Sequence, residues 1–170
     1  MPIRNLEKIF EPKHVAVIGG SRKAGSIGRT VLDNLEEGEF RGPVYPVNPK
    51  YKKLGELPCY ATVADLPEVP DLAVVCTPAK TVPQIVRECG EAGILGLIVL
   101  SAGFRESGKE GEAREKEVLD AAAAFDGMRI VGPNCLGILA PHAALNASFA
   151  SGMPSKGHLA FLSQSGALCT

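Results

Sequence analysis

The chain has 170 residues, of which 45% are hydrophobic and 22% are charged, and its formal net charge is −1. This length fits one domain of ordinary size with room for part of a second, and the hydrophobic fraction excludes wholesale disorder. The balanced charge gives no support for a nucleic-acid-binding protein, which would normally show a basic face.

Five short apolar runs predict the strands of a parallel sheet. They are rich in Val, Ile and Leu and are continuous rather than alternating, which is typical of strands buried on both faces. Helical patterns lie between most of them, and this alternation predicts a doubly wound α/β domain with right-handed crossovers. The predicted strands are residues 14–18, 44–47, 72–76, 95–100 and 128–131.

Three amphipathic stretches predict helices that cover this sheet. Apolar residues recur at helical spacing over 27–35 and 82–89, and Thr81 stands where the second of these helices needs an N-cap. The stretch 108–125 begins with charges and ends in alanines, which predicts a surface helix with its small residues inward. Between 48 and 71 the pattern predicts only a short strand at 59–60 and a helical turn at 63–66.

The cysteines and the apolar runs indicate whether the protein binds a metal and in which cellular compartment it lies. The five cysteines are widely spaced, with no Cys-x-x-Cys pair and no His–Cys cluster of metal-binding spacing, so we expect no metal site. Cys76 lies in an apolar run, which favours a buried free thiol. The first 14 residues lack the apolar core of a signal peptide, and the longest apolar run, 94–100, is too short to span a bilayer. We therefore expect a cytoplasmic protein without a membrane partner.

A glycine-rich turn, GGSRKAGSIG, connects the first predicted strand to the first helix. Its glycines at 19, 20, 25 and 28 do not follow the G-x-G-x-x-G spacing, and Ser26 and Ile27 stand where a Walker A motif needs Lys and Ser or Thr. The turn still offers the free N–H groups of a helix N-terminus to an anion, beside Arg22 and Lys23. We therefore expect it to hold phosphate groups.

The end of the second predicted strand narrows the choice of ligand. Enzymes that use NAD usually carry an acidic residue here, which binds the ribose hydroxyls. This chain has VNPKYKK instead, with Lys50, Lys52 and Lys53. Basic residues favour a ligand with a phosphorylated adenosine ribose, and both NADP and coenzyme A (CoA) fit that description. Small residues at two further strand ends, Ala79 and 101–103, leave room for an adenine or an extended chain.

Six segments resemble, in order, those of ADP-forming acyl-CoA synthetases, which are related to the alpha subunit of succinyl-CoA synthetase. The segments are VIGGSRKAGSIG, YPVNPKY, VVCTPA, SAGFRE, GPNCLGI and LAFLSQSGAL. The resemblance implies a Rossmann-like CoA-binding domain at 1–140, a connection at 141–157, and the first strand, turn and helix of a truncated flavodoxin-like domain at 158–170. Since that last unit is cut at its helix, we expect the chain to be an amino-terminal fragment of a longer protein.

The resemblance also implies the reaction of an acid–thiol ligase. Acid, CoA and ATP give acyl-CoA, ADP and phosphate, reversibly, through an acyl phosphate and a phosphohistidine. ATP, ADP and Mg²⁺ would bind an ATP-grasp part outside this chain, in further domains or a beta subunit. The phosphohistidine would lie beyond the chain end, and His14, His142 and His158 are outside the family's histidine motif. We therefore expect no catalytic residue here and a fragment that binds CoA or acyl-CoA without turning it over.

The site residues that the resemblance implies lie mostly at the carboxyl ends of the predicted strands. The glycine turn would hold the CoA phosphates, Lys50 would face the ribose phosphate or the diphosphate, and two further strand ends would line the adenine and pantetheine path. A last group would form the helix N-terminus that receives the phosphohistidine loop. In that order the residues are Gly20, Ser21, Arg22, Lys23 and Ser26; Lys50; Pro78, Ala79, Ser101 and Ala102; and Ser163, Ser165 and Gly166.

Two alternative functions stay open on the sequence. The same domain also occurs as the regulatory part of protein lysine acetyltransferases, and only the sequence after Thr170 would distinguish that arrangement. An NADP-binding oxidoreductase or sensor would equally use basic residues after the second strand. That alternative predicts a response to nicotinamide nucleotides and no competition by CoA.

Overall fold

The structure, a computed structural model, describes residues 3–166. Nine short strands are assigned within this range. In chain order they are β1 (Val15–Ile18), β2 (Val44–Val47), β3 (Lys53–Leu54), β4 (Leu57–Pro58), β5 (Leu72–Val75), β6 (Gly96–Val99), β7 (Arg129–Val131), β8 (Gly137–Ala140) and β9 (Leu145–Ser148).

Five of these strands form a parallel sheet of order β2-β1-β5-β6-β7. They are the five strands that the apolar runs predict, each within one residue of its predicted bounds, so the prediction of a doubly wound parallel sheet is confirmed. Every residue of β1, β5 and β6 is buried, which is the reason for their uninterrupted hydrophobicity.

Within residues 3–166 four α-helices accompany the strands: α1 (Glu7–Phe10), α2 (Ile27–Glu37), α3 (Val82–Glu91) and α4 (Lys109–Ala123). The last three are the predicted helices. The buried residues of α2 join one hydrophobic cluster with alternate residues of the central strands, and those of α3 and α4 join a second cluster with the intervening residues. Since alternate strand residues point to opposite faces, α2 lies on one face of the sheet and α3 and α4 on the other.

The structure corrects the prediction that the Thr81 side chain caps α3. Thr81 does precede the helix, but its backbone is in the right-handed helical region and its hydroxyl caps no N–H group of α3. The hydroxyl donates instead to Pro78 O at 2.8 Å. A short 3₁₀ turn, Ala79–Thr81, leads directly into α3, whereas a capping side chain requires an extended backbone at its own position.

The connection expected at 141–157 contains regular structure. Within it β9 pairs antiparallel with β8, and all four residues of β9 are buried. Asn34 of α2 donates its side-chain amide to the carbonyls of Ser148 and Ala150, at 2.9 Å each. Ser148 in turn donates its hydroxyl to Asn146 Oδ1 at 2.6 Å. Local hydrogen bonds therefore satisfy the polar side chains that give this strand the composition of a loop, and Asn34 joins its main chain to α2.

The strand predicted from residue 158 is not formed over 158–166. Leu159 and Leu162 are fully exposed there, and no described segment pairs with this stretch. An isolated strand has no partner for its backbone groups, so a strand at this position needs a neighbour that the described residues do not supply. The helix predicted after it cannot be followed, since residues 167–170 lie outside the described residues.

The outer edge of β2 is closed. Pro46, within β2, has no N–H group to offer, and its carbonyl accepts a hydrogen bond from the Tyr60 N–H at 2.9 Å. The short strand predicted at 59–60 is a single bridge between Tyr60 and Val47, and the predicted helical turn is a 3₁₀ turn at Val63–Asp65. The β3–β4 hairpin precedes this bridge and packs beside β2.

Candidate functional site

The loops that carry the predicted site residues meet at one edge of the sheet. From β1 the chain passes to β2 on one side, and after the β3–β4 hairpin it returns to β5 on the other. Ligands of doubly wound sheets bind at the carboxyl ends of the strands, at such a reversal of strand order. We use the term carboxyl rim for the loops at these strand ends: 19–26 after β1, 48–53 after β2, 76–81 after β5 and 100–104 after β6.

The glycine turn after β1 requires residues without side chains. Gly19 has a φ of +92°, and a Cβ on it would lie 3.0 Å from the main chain of Cys76. A Cβ on Gly28, in the first turn of α2, would lie 2.1 Å from Gly19 O. The N-terminus of α2 therefore packs directly on the turn, at a distance that only glycine permits.

The N-terminus of α2 is left open to an anion by its own N-cap residue. Ser26 occupies the N-cap position, but its hydroxyl donates to Lys23 O at 2.7 Å and to no N–H group of the helix. The first turn of α2 contains no acidic side chain. Ser21 accepts a hydrogen bond from the Lys23 N–H at 3.0 Å, so the two serines shape the turn and leave the helix dipole unopposed by a carboxylate.

Arg22 is attached to the loop that follows β2. Its Nη2 donates to Lys53 O at 2.7 Å, and its guanidinium lies over the Tyr51 ring, 5.2 Å from the ring centroid. The remaining guanidinium donors belong to an exposed residue, as do the ammonium groups of Lys23 and Lys50. The structure thus brings the cations predicted for the glycine turn and those of the next loop onto neighbouring strand ends.

Asn48, which sequence reasoning did not select as a site residue, connects the same two loops. Its side chain donates to Gly20 O at 2.7 Å and accepts from the Lys50 N–H at 3.0 Å. The signal that could have identified it is an amide side chain at the end of an edge strand, followed directly by Pro49, since Asn readily bonds to the backbone two residues ahead.

The ends of β5 and β6 are joined by a buried serine. Ser101 is 5% exposed, and its hydroxyl donates to Thr77 O at 2.6 Å. A Cβ on Gly103 would lie 3.1 Å from the Cβ of Ala79, so the two loops lie against each other. Pro78 and Ala102 are exposed beside them. These two strand ends are therefore held together by a buried hydrogen bond and present small, accessible residues beside it.

The thiols near the rim are not nucleophiles at neutral pH. Burial raises the pKa of the Cys76 thiol to about 12 and that of the Cys135 thiol to about 11. Cys135 donates to Val99 O at 3.4 Å. The cysteines that the structure describes are all free, in accordance with the interpretation of Cys76 as a free thiol. A protonated thiol contributes packing here and no covalent chemistry.

The residues predicted to receive a phosphohistidine loop lie in the stretch 163–166, most of which is exposed. Ser163 and Ser165 are hydrogen-bonded to each other, with Ser165 N–H donating to Ser163 Oγ at 3.0 Å. Gly166 is exposed and its nearest neighbour would be Leu136, 3.9 Å from a Cβ placed on it. The helix that these residues would begin lies outside the described residues, so this role stays a prediction.

Neither a metal site nor a helical membrane span is found within residues 3–166. These residues contain no group of three or more His, Cys, Asp or Glu side chains placed to hold a metal ion. None of the helices in residues 3–166 combines the length and the apolar character that crossing a membrane requires.

An open groove lies between 62–70 and α3, but Glu68, Glu88 and Glu91 line it. Carboxylates would repel a phosphorylated ligand from that groove.

The parallel sheet carries a glycine turn, an uncapped helix N-terminus and clustered cations at one end. This arrangement is typical of Rossmann-like domains that bind phosphorylated, nucleotide-like ligands. Comparison with known proteins supplies the family. Residues 13–141 match the family described as CoA binding domain. The chain belongs to this family of CoA-binding domains.

Individual relatives agree with this assignment. The chain is 48% identical over 162 residues to the ADP-forming acetate–CoA ligase I of Archaeoglobus fulgidus. It is 44% identical over 163 residues to the alpha subunit of the ADP-forming acetate–CoA ligase II of Pyrococcus furiosus. These alignments cover 95% and 96% of this chain but only 23% and 35% of the relatives, so the chain spans a minor part of their length.

Comparison with a solved structure shows that the similarity to these relatives includes the fold. A dinucleotide-forming acetyl-coenzyme A synthetase 1 of Ca. Korarchaeum cryptofilum, in complex with phosphate and ADP, matches with a TM-score of 0.89 and 41% identity. The match covers 96% of this chain and 34% of that one. The resemblance carried by the six sequence segments is confirmed, and the comparisons lend no support to an acetyltransferase or an NADP-dependent protein.

Proposed function

We propose that this domain binds the nucleotide end of CoA at its carboxyl rim and serves an ADP-forming acyl-CoA synthetase. The observation that carries the proposal is the direct attachment of the glycine turn to the lysine-bearing loop, through Asn48–Gly20 and Arg22–Lys53 hydrogen bonds. Main-chain N–H groups and cations from two strand ends thereby form one surface, which suits a ligand with both a diphosphate and a ribose phosphate.

Each part of CoA has residues of suitable chemistry at the rim. Gly20, Ser21, Arg22, Lys23 and Ser26 would hold the diphosphate at the N-terminus of α2, and Lys50 would meet the ribose phosphate. Pro78, Ala79, Ser101 and Ala102 would line the adenine and pantetheine path, where small residues permit close approach. The hydroxyl of Ser101 already bonds to Thr77, so its contribution there is shape more than hydrogen bonding.

The domain's task in this proposal is to bind and orient CoA, and no described residue makes or breaks a bond. The names of the relatives, ADP-forming acetate–CoA ligases, support a reaction that joins an acid to CoA, and we place that reaction in parts outside this chain. Those parts, in further domains or a beta subunit, would bind ATP, ADP and Mg²⁺, and Ser163, Ser165 and Gly166 would face a phosphohistidine loop. The free cysteines fit a cytoplasmic setting, since thiols stay reduced there.

The first test is calorimetric titration of the chain with CoA, dephospho-CoA, NADP and ADP in parallel. We expect CoA to bind more tightly than dephospho-CoA, which lacks the ribose phosphate, and NADP not to compete. Lys50→Ala should weaken CoA more than dephospho-CoA, because a lost charge-assisted hydrogen bond costs about 1.5–3 kcal/mol. Lys116→Ala, which removes an exposed cation paired with Asp120 on α4, is the control and should change neither affinity.

Arg22→Ala distinguishes two locations for the guanidinium. An equal loss of affinity for CoA and dephospho-CoA would assign Arg22 to the diphosphate, and a selective loss for CoA would assign it to the ribose phosphate.

An empty rim in crystals soaked with CoA, or a rim filled by a nicotinamide nucleotide, would refute the proposed function. The reaction itself is tested with the full-length protein, as formation of ATP from acetyl-CoA, ADP and phosphate.

A further inference from the structure

Asn48 is held through both its side chain and its main chain. Its Nδ2 donates to Gly20 O at 2.7 Å, and its Oδ1 accepts from the Lys50 N–H at 3.0 Å. Its own N–H donates to Tyr60 O at 2.8 Å, and its carbonyl accepts from the Tyr51 N–H at 3.3 Å. Both ends of the amide are therefore used within the protein, at the position where the glycine turn meets the next loop.

This use of the amide excludes the role that the position has in NAD enzymes. There an acidic side chain at the end of the second strand accepts hydrogen bonds from the ribose hydroxyls. A carboxylate at position 48 could still accept from the Lys50 N–H, but it would set an acceptor against Gly20 O, where a donor is needed. In place of that acidic residue, this chain has a loop, 48–53, with three lysines and no carboxylate.

We propose that Asn48 is the positioning residue that sets the preference of this site for a phosphorylated ribose. Its amide fixes the main chain of Lys50 relative to the glycine turn, so a cation is held at the ribose end while the turn holds the diphosphate. The inference rests on the proposed function, because it takes the adenosine of CoA to lie at the ends of β1 and β2. It goes further by assigning selectivity to an uncharged side chain that acts through its neighbours.

The test compares Asn48→Asp and Asn48→Ala with the unaltered chain by titration with CoA and dephospho-CoA. Asp adds a negative charge at the ribose end, whereas Ala removes both side-chain hydrogen bonds without adding charge. We expect Asn48→Asp to lower the ratio of the CoA and dephospho-CoA association constants by about tenfold, because the added charge repels only the ligand with the ribose phosphate. Asn48→Ala should lower the same ratio by about threefold, because Lys50 loses its fixed position.

Asn5→Asp is the matched control. The Asn5 side chain donates to Gly127 O at 2.8 Å on the amino side of β7, so the same change removes an amide-to-carbonyl hydrogen bond far from the rim. We expect a lower melting temperature for this variant and an unchanged ratio. If Asn48→Asp fails to fold, as judged by circular dichroism, the ratio measured for Asn48→Ala decides.

The two proposals fail in different ways. Variants at Asn48 that lose affinity equally for both ligands, or keep the ratio within experimental error, would overturn the positioning role while the unaltered chain still prefers CoA. An unaltered chain that shows no preference for CoA over dephospho-CoA, or no binding of either, would overturn the proposed function and the inference with it.

Discussion

Gly28 marks the closest contact between α2 and the glycine turn. The hydrogen on its Cα leaves room for Gly19 O, which a Cβ would approach to 2.1 Å. The two residues belong to adjoining elements, and the space between them fixes how near the helix N-terminus comes to the carboxyl rim. The position of the anion-binding N–H groups therefore depends on a residue that contributes no side chain.

Gly28→Ala is expected to destabilise the protein by about 1–3 kcal/mol, because the added methyl group has to displace backbone atoms. Urea denaturation at neutral pH measures this loss. Gly157→Ala is the control, since no atom beyond its chain neighbours lies within 4 Å of a Cβ at that position. Equal midpoints for the two variants would show that α2 can move away from the turn at no cost.

Single residues also show where sequence reasoning about the site succeeds and where it ends. The predicted positions at strand ends lie at the same edge because all five central strands are parallel, and that follows from the apolar pattern. The bond from Arg22 to Lys53 O could not be predicted, since it depends on the β3–β4 hairpin, whose strands have two residues each. Strands that short leave no readable periodicity.

At the scale of elements, the sequence predicts the strands and helices that form by hydrophobic packing. It misses those features that depend on polar contacts between distant or neighbouring residues. The buried strands and the amphipathic helices follow from hydrophobic spacing. β9 does not, because its Asn146 and Ser148 are buried by virtue of bonds to each other and to α2. Thr81 fails as a cap for a related reason, since a 3₁₀ turn brings Pro78 O to its hydroxyl.

The amino-terminal segment is joined to the sheet through Asp71, just before β5. Its carboxylate accepts hydrogen bonds from Lys8 Nζ at 3.1 Å and from the Lys13 N–H at 2.9 Å. Burial raises the pKa of Asp71, but these bonds and the charge of Lys8 outweigh it and hold the pKa below its ordinary value of 3.8. The stabilisation is thus present above about pH 4 and is lost as the pH falls through the folded-state pKa.

Asp71→Asn should lower the free energy of unfolding by about 1–2 kcal/mol at pH 7, because it removes the charge that both donors face. The difference from the unaltered protein should shrink as the pH falls below 4, and urea titrations at pH 7 and pH 3 measure it. Asp120→Asn removes a carboxylate from an exposed pair with Lys116 and should have little effect at either pH. A difference that persists undiminished at pH 3 would rule out this ionic contribution.

At the scale of the whole molecule, packing in or against the two hydrophobic clusters raises the pKa of three thiols. Cys89 belongs to the cluster with α3 and α4, and burial raises the pKa of its thiol from 9.0 to about 12. Cys76 and Cys135 pack against the other cluster with similarly raised pKa values. In the unfolded chain these thiols lose protons from about pH 9 upward, so the unfolded state binds fewer protons than the folded state there.

Stability should therefore fall as the pH rises above 9, by about 1 kcal/mol per pH unit for each thiol that stays protonated only in the folded state. Denaturant titrations at pH 8, 9 and 10 measure the slope. Cys89→Ala should be less stable at pH 8, because packing is lost, but should show a shallower alkaline slope. Identical slopes for the variant and the unaltered protein would contradict the role of this thiol.

The closed margin of β2 has a consequence for how the protein behaves in concentrated solution. An open strand margin lets a second molecule add its own strand, which is a common start of fibrillar aggregation. Here Pro46 withholds a donor and Tyr60 takes up an acceptor, so that route is blocked along one side of the sheet. At high protein concentration we therefore expect fewer strand-to-strand contacts at that side than an unprotected edge strand would form.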